Sequence, residues 1–194
     1  IAELAEAGIT SFKIEGRLKN ESYVRNVVRD YSIALDELVA RCPETYERGS
    51  YGQVSGGFTP DTAKTFNRGY TELYIDGKRG KWASMDAAKS MGEEIGQVVS
   101  LNKDKSSVGL KLVRKDIVLN NGDGFSFVGK DSSVNGFRGD VCSGNSIRCK
   151  STPSLYVGAK IFRNINIAFE KEIERKACTR EIRAVVSIDF IKSA

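Results

Sequence analysis

A seven-residue run, Ser11-Phe-Lys-Ile-Glu-Gly-Arg17, passes directly into a long amphipathic segment. This junction constrains the fold more than any other part of the chain. Phe12 and Ile14 alternate with Lys13, Glu15 and Arg17, the period of a strand with one charged face. Gly16 permits a tight exit, and Asn20 can cap a helix that starts at once. Val24, Val27, Val28, Tyr31, Ala34, Leu35 and Leu38 then recur at i, i+3, i+4, i+7, which predicts a helix with a broad apolar stripe. A strand feeding such a helix reads as a βα unit of an α/β domain. The chain opens at Ile1 without a Met, and only ten residues precede the run. The expectation is therefore the last βα unit of a truncated α/β barrel, with its stripe buried by neighbouring helices in the parent and, in this chain, docked on its own barrel or on a second copy.

The pattern then changes twice. Residues 1–41 are the expected strand and helix, ended by Pro43. Residues 42–92 read as a linker with one short helix, capped by Thr59 with Pro60 at its first position and broken at Gly69. Residues 93–194 read as a small antiparallel β-barrel. Strands are predicted at 95–101, 107–113, 125–128, 155–163 and 180–190, with a hairpin of 137–141 on 146–150. Asn120-Asn-Gly-Asp-Gly124 is a turn on its own chemistry. A helix over 166–176 is expected to cross one end of this barrel. The fold class is α+β.

What the chain lacks excludes whole classes of chemistry. It contains no His, so neither a Ser-His-Asp nor a Cys-His arrangement can be assembled from it. Its four cysteines, Cys42, Cys142, Cys149 and Cys178, form no C-x-x-C pair. They are read as free thiols, with no metal and no cofactor in this chain. No apolar run approaches the roughly 20 residues of a membrane span, so a cytoplasmic protein without a membrane partner is expected. The net charge is +5, and the excess lies in residues 141–194, with ten Lys/Arg against five Asp/Glu. That is either a shallow nucleic-acid footprint or an ordinary solvated surface.

Candidate site residues fall into four groups. Glu15 could act as a general acid/base at a barrel mouth, with Lys13 or Arg17 setting its charge balance or gripping an anion. The same three side chains could equally form a structural ion network. Arg68 could bind phosphate or a carboxylate through its planar fork, or tie linker carbonyls to the barrel. Lys78, Arg79, Lys81 and Trp82 combine charge with an aromatic ring, as do base-stacking surfaces, and a solvated loop reads the same way. Arg148, Lys150, Lys160 and Arg163 are the candidate phosphate contacts in the basic last quarter.

Five segments carry a resemblance. FKIEGRLKNESYVRNVVRDY (Phe12 to Tyr31), FNRGYTELY (Phe66 to Tyr74), SMGEEIGQV (Ser90 to Val98), NNGDGFSFV (Asn120 to Val128) and AKIFRNINIAFE (Ala159 to Glu170) resemble, in order, the collagenase-like peptidases of peptidase family U32. The resemblance implies the end of a catalytic α/β barrel followed by a C-terminal barrel. It also implies that the clustered cysteines of the family's diagnostic segment, and any iron–sulfur cluster, belong to an upstream domain. Several members are implicated in hydroxylating tRNA or ribosomal RNA. The function expected from the resemblance is an accessory, substrate-positioning domain of a collagenase-like protease. The alternative is the same role in an RNA-hydroxylating enzyme. The substrate is then protein or structured RNA, the isolated chain is inactive, and a homodimer could form through the 20–40 helix.

Overall fold

The computed structural model describes residues 1–70, 74, 77 and 90–190. Helix α1 (Ala2–Glu6) precedes the long helix α2 (Glu21–Arg41). Asn20 caps α2, its side-chain oxygen accepting from the Tyr23 N–H at 3.1 Å. The helix stops before Pro43, where Cys42 leaves the helical region at φ −132° and ψ 60°. The run from Ser11 to Arg17 forms no ladder among the described residues. Its alternation survives as burial: Phe12 and Ile14 are half-buried, and Lys13, Glu15 and Arg17 are exposed. A period of two decides which side faces inward, whereas a strand also needs a neighbouring backbone for its N–H and C=O groups.

The linker holds strand β1 (Gln53–Gly56) and a single 3₁₀ turn over Thr62–Lys64. The cap of that turn is Asp61, not Thr59: its carboxylate accepts from the Ala63 N–H at 3.1 Å. The Asp61 backbone is itself held by the buried Asn26 of α2, which outbids the Thr-Pro start signal.

Seven strands make one antiparallel sheet: β2 (Glu93–Leu101), β3 (Ser107–Leu112), β4 (Gly124–Val128), β5 (Val134–Arg138), β6 (Val141–Ser143), β7 (Ser146–Arg148) and β8 (Lys160–Ile165). Their spatial order is β5-β4-β8-β2-β3-β7-β6. The two edge strands, β5 and β6, are consecutive in the chain and separated only by Gly139 and Asp140. Two residues span roughly 7 Å, so the sheet must curl until its edges approach at that corner. It is a half-barrel. Gly139 is the residue that fits there, because an added Cβ would lie 2.7 Å from Cys142 Sγ and 2.9 Å from the Phe125 ring. The core within the curl is Ile95, Val98, Val108, Leu110, Phe125, Phe127, Ile147, Leu155 and Ile161, each at most 1% exposed.

Three expected elements are redrawn by packing. The run 137–141 breaks at the Gly139-Asp140 corner, so the hairpin is the shorter β6–β7 pair. The strand expected from Leu155 begins at Lys160, because Gly158 at φ +95° turns the chain and buries Leu155 and Ala159 beneath the sheet. The last strand is only β9 (Cys178–Glu181), which pairs with β1 outside the main sheet. Its partner is bounded by Gly52 and Gly56, at φ +86° and +69°, which turn the backbone out of line. Ile182, Val185, Val186, Ile188 and Phe190 remain exposed.

Helix α3 (Ile167–Arg175) follows β8 at once, is capped by Asn166 and packs on α2. Its buried Phe169 and Ile173 pack with Phe58, the Phe58 and Phe169 rings meeting edge to face at 5.9 Å. Helix α2 packs on α3 and the 3₁₀ turn with Asn26 at the centre of its contact face. The expected apolar stripe is therefore only partly covered: Leu38 is buried, while Val28 and Leu35 are 47% and 38% exposed.

One inward position of β8 is charged. Arg163, 4% exposed, reaches Glu93 Oε2 at 3.0 Å, Asp123 Oδ2 at 3.4 Å and the Val118 carbonyl at 2.8 Å. Asp123, fully buried, also accepts from the Asn120 N–H and from the Ile167 N–H, both at 2.9 Å. Arg163→Ala would leave the buried Asp123 without a counter-charge and Glu93 with only the half-exposed Arg114, and should lower stability by about 3–5 kcal/mol in urea unfolding. Arg114→Ala removes a half-exposed partner of the same Glu93 and should cost far less.

Candidate functional site

The structure brings two of the sequence's distinctive segments to one cleft. The loop after Ile14 and the first turns of α2 supply Glu15, Lys19, Tyr23, Asp30 and Tyr31; the chain after the 3₁₀ turn supplies Phe66, Arg68 and Tyr70. The cleft has a volume of about 560 Å³, within the usual range for ligand sites. Four aromatic rings, two cations and two carboxylates line it.

Asn26 explains why these segments meet. It is fully buried on α2, one turn beyond Tyr23. Its Nδ2 donates to the Asp61 carbonyl at 2.7 Å and to Thr65 Oγ1 at 3.0 Å, and its Oδ1 accepts from the Asp61 N–H at 2.9 Å. Three hydrogen bonds from one amide thus pin residues 61–65 to the helix. Phe66 follows at once and meets Tyr23 edge to face, with centroids 6.0 Å apart. Asn67 is fixed from the other side, where Ser90 Oγ accepts from its N–H at 2.9 Å and donates to its carbonyl at 3.0 Å. Gly69 turns the chain at φ +94°, held by the Asn67 side chain, and Tyr70 emerges 69% exposed.

The charges are arranged around Phe66. Lys19 Nζ sits 3.5 Å from the centroid of its ring, and the Arg68 guanidinium carbon sits 5.3 Å from it. Both contacts are within cation–π range. Lys19 and Phe66 also line a neighbouring cleft of about 420 Å³ with Asn20, Thr65, Ser90 and Glu170, so the two hollows share a wall.

The predicted site residues divide accordingly. Glu15 and Arg68, which belong to separate motifs, line the same cleft. Lys13 pairs with Glu15 at 2.8 Å, with both side chains largely exposed, and Arg17 is exposed outside the cleft. Lys78, Arg79, Lys81 and Trp82 lie outside the described residues. Arg148 and Lys150 are exposed on and just after β7, and Lys160 is paired with Glu94 at 3.2 Å. Arg163 is not a surface contact, contrary to expectation, because it is the buried ion-pair centre of the sheet. Lys19, Tyr23, Asp30, Tyr31, Phe66 and Tyr70 line the cleft without having stood out as site residues in the sequence. The signal available was the basic–aromatic spacing in Lys19-Asn-Glu-Ser-Tyr23 and Phe66-Asn-Arg-Gly-Tyr70.

The cysteines do not gather. All four are free, and among the described residues no group of three or more His, Cys, Asp or Glu is placed to hold a metal ion. The donor set for an iron–sulfur cluster is not found among the described residues. Burial pushes the Cys142 thiol up to about 11, with Asp123 adding to the effect, and burial also raises Cys149.

Two outcomes test this arrangement. Asn26→Ala should lower stability by roughly 1–3 kcal/mol and open residues 58–70 to limited proteolysis. At pH 8 the Cys142 thiolate is about one part in a thousand, so iodoacetamide should label the exposed Cys178 first. Cys142 should become reactive only as the pH approaches 11. The cleavage pattern and the order of labelling can both be read by mass spectrometry.

Comparison with known proteins adds three relationships. The model of Peptidase family U32 matches residues 1–84. The chain is 36% identical over 146 residues to the 23S rRNA 5-hydroxycytidine C2501 synthase of Escherichia coli K12, covering 73% of this chain and 20% of that protein. It is 37% identical over 83 residues to a collagenase of Porphyromonas gingivalis, covering 42% of this chain and 21% of that protein. The chain thus spans about a fifth of the length of these relatives. No solved structure matches it significantly.

Proposed function

From a chain that belongs to peptidase family U32 through residues 1–84, we propose a substrate-positioning segment of an RNA-hydroxylating enzyme. The observation that carries this reading is the extent of similarity. A match of 146 residues to the rRNA hydroxycytidine synthase cannot be contained within residues 1–84, so it enters the half-barrel as well. The match to the collagenase is little more than half as long.

The physical chemistry of the surface supports the same reading. Lys19 and Arg68 against the half-buried Phe66 ring, with Tyr70 exposed in the same cleft, combine phosphate neutralisation with stacking. Arg148 and Lys150 provide further exposed cations on the half-barrel. In this reading the chain contributes contacts that hold RNA, and the reacting groups are supplied by the rest of the enzyme. The family's collagenases favour a second reading, in which the same cleft holds an extended peptide.

Fluorescence anisotropy with a tRNA-sized RNA separates the two. Binding is expected with dissociation constants of about 10⁻⁶–10⁻⁴ M, weakening steeply between 50 and 200 mM salt. Arg148→Glu with Lys150→Glu should weaken it further. No RNA binding at low salt, together with binding of a collagen peptide, would overturn the RNA reading in favour of the peptide one.

A further inference from the structure

We infer that residues 182–190 are a docking strand for the same residues of a second copy of this chain, closing an antiparallel, two-fold dimer about Val186. The segment continues β9 as Ile182-Arg-Ala-Val-Val-Ser-Ile-Asp-Phe190. Ile182, Ala184, Val186, Ile188 and Phe190 alternate along it and share one face of an extended chain. Strand β1 holds β9 only from Cys178 to Glu181. Beyond that point residues 182–190 make no backbone hydrogen bond among the described residues. Ile182, Val186, Ile188 and Phe190 are between 63% and 94% exposed. A segment with strand periodicity, a bare apolar face and no ladder is an open edge for a second backbone.

The charges of the segment decide which backbone fits. Arg183 and Asp189 are its only charged residues, and they stand equally far from Val186 on the face opposite the apolar one. Antiparallel pairing about Val186 sets Arg183 of one copy against Asp189 of the other, and does so twice. On the other face it sets Ile182 against Phe190, Ala184 against Ile188 and Val186 against itself. A parallel in-register pairing would oppose like charges. An antiparallel slip of one residue would set Asp189 against Ile182, and a slip of two would remove both ion pairs. The segment is therefore complementary to itself in one register. Both copies use the same patch, so the contact closes at two.

The pairing also extends a ladder that already exists. The β1–β9 pair fixes the residues just before Ile182 in extended form, and Arg180 Nε donates to the Tyr51 carbonyl at 3.0 Å. The strand is thus partly ordered before a second copy arrives, which lowers the entropy lost on association. Helix α2 is the weaker alternative. Its contact face is already taken by α3 and by residues 61–65, and its uncovered Val28 and Leu35 are less exposed than any of the four large apolar side chains above.

The test is light scattering of the full chain over a concentration series, with cross-linking done in a Cys178→Ser background. The unaltered chain should pass from monomer to dimer, and no further, as concentration rises. Arg183→Asp sets like charges opposite each other twice and should weaken the dimer about ten-fold or more. Its thermal melt should not change, because the segment lies outside the core. Asp189→Arg should weaken the dimer similarly, and the two changes together should restore it. Val186→Cys should oxidise to a disulfide-linked dimer, since paired Cα atoms stand about 4.5–5.5 Å apart. Val185→Cys should not, since its two copies would stand on a diagonal of about 7–8 Å. A chain that is monomeric at every concentration would overturn the second copy as occupant of this edge. A dimer that survives Arg183→Asp but dissolves on Val28→Ser with Leu35→Ser would place the contact on α2 and overturn this one. Failure of the double charge exchange to restore the dimer would overturn the register, and assembly beyond two would overturn its closure.

Discussion

The buried guanidinium of Arg163 cross-links the centre of the half-barrel, joining side chains from neighbouring strands to the carboxylate that holds the start of α3. It is on β8, Glu93 opens β2, Asp123 ends the turn before β4, and Asp123 also receives the first N–H of α3. The charge is expensive to bury, and the structure offsets it by enclosing two carboxylates and a carbonyl around it. Without Arg163, Asp123 would lose its counter-charge and Glu93 would keep only the half-exposed Arg114, and the carboxylate that receives the first N–H of α3 would be buried unpaired.

From that tie the cleft inherits its position. Helix α3 is anchored to the half-barrel at Asp123, and α2 lies on α3, with Arg25 reaching the Ile173 carbonyl and Ser22 bonded to Glu170. Asn26 then fixes residues 61–65 to α2, and Phe66 and Tyr70 fall where they face Tyr23 and Lys19. Two polar groups, Arg163 and Asn26, thus set the geometry that the aromatic rings exploit. Apolar packing fills the half-barrel, but it does not specify which loop stands opposite which helix.

Legibility differed by element for physical reasons. The helices at 21–41 and 167–175, and the strands β2, β3 and β4, were readable because each depends on local periodicity and a local cap. The NNGDG turn was readable because Asp123 closes it on the Asn120 N–H. The strand expected at Ser11–Arg17 was not realised, since its alternation could be satisfied by burial alone. The long final strand shortened to Cys178–Glu181 because its partner between Gly52 and Gly56 offers only four residues. Arg163 read as a surface cation, since charge in a sequence says nothing of the carboxylates that will surround it. Glu15 and Arg68 stood out separately, and nothing in a linear order separating them by more than fifty residues indicated a shared cleft.

The sequence by itself determined the class of this protein: α+β, with a turn-punctuated antiparallel half, no histidine chemistry, and segments that mark its family. These are consequences of residue type and short-range spacing, which act before the chain is folded. Only the tertiary structure decided the rest. It curled the sheet at Gly139 because two edge strands are joined by two residues, turned Arg163 inward because Glu93 and Asp123 wait there, and set four aromatic rings around one hollow because Asn26 clamps a distant turn to α2. Each of those outcomes depends on contacts between residues far apart in the chain, whose geometry no local pattern encodes.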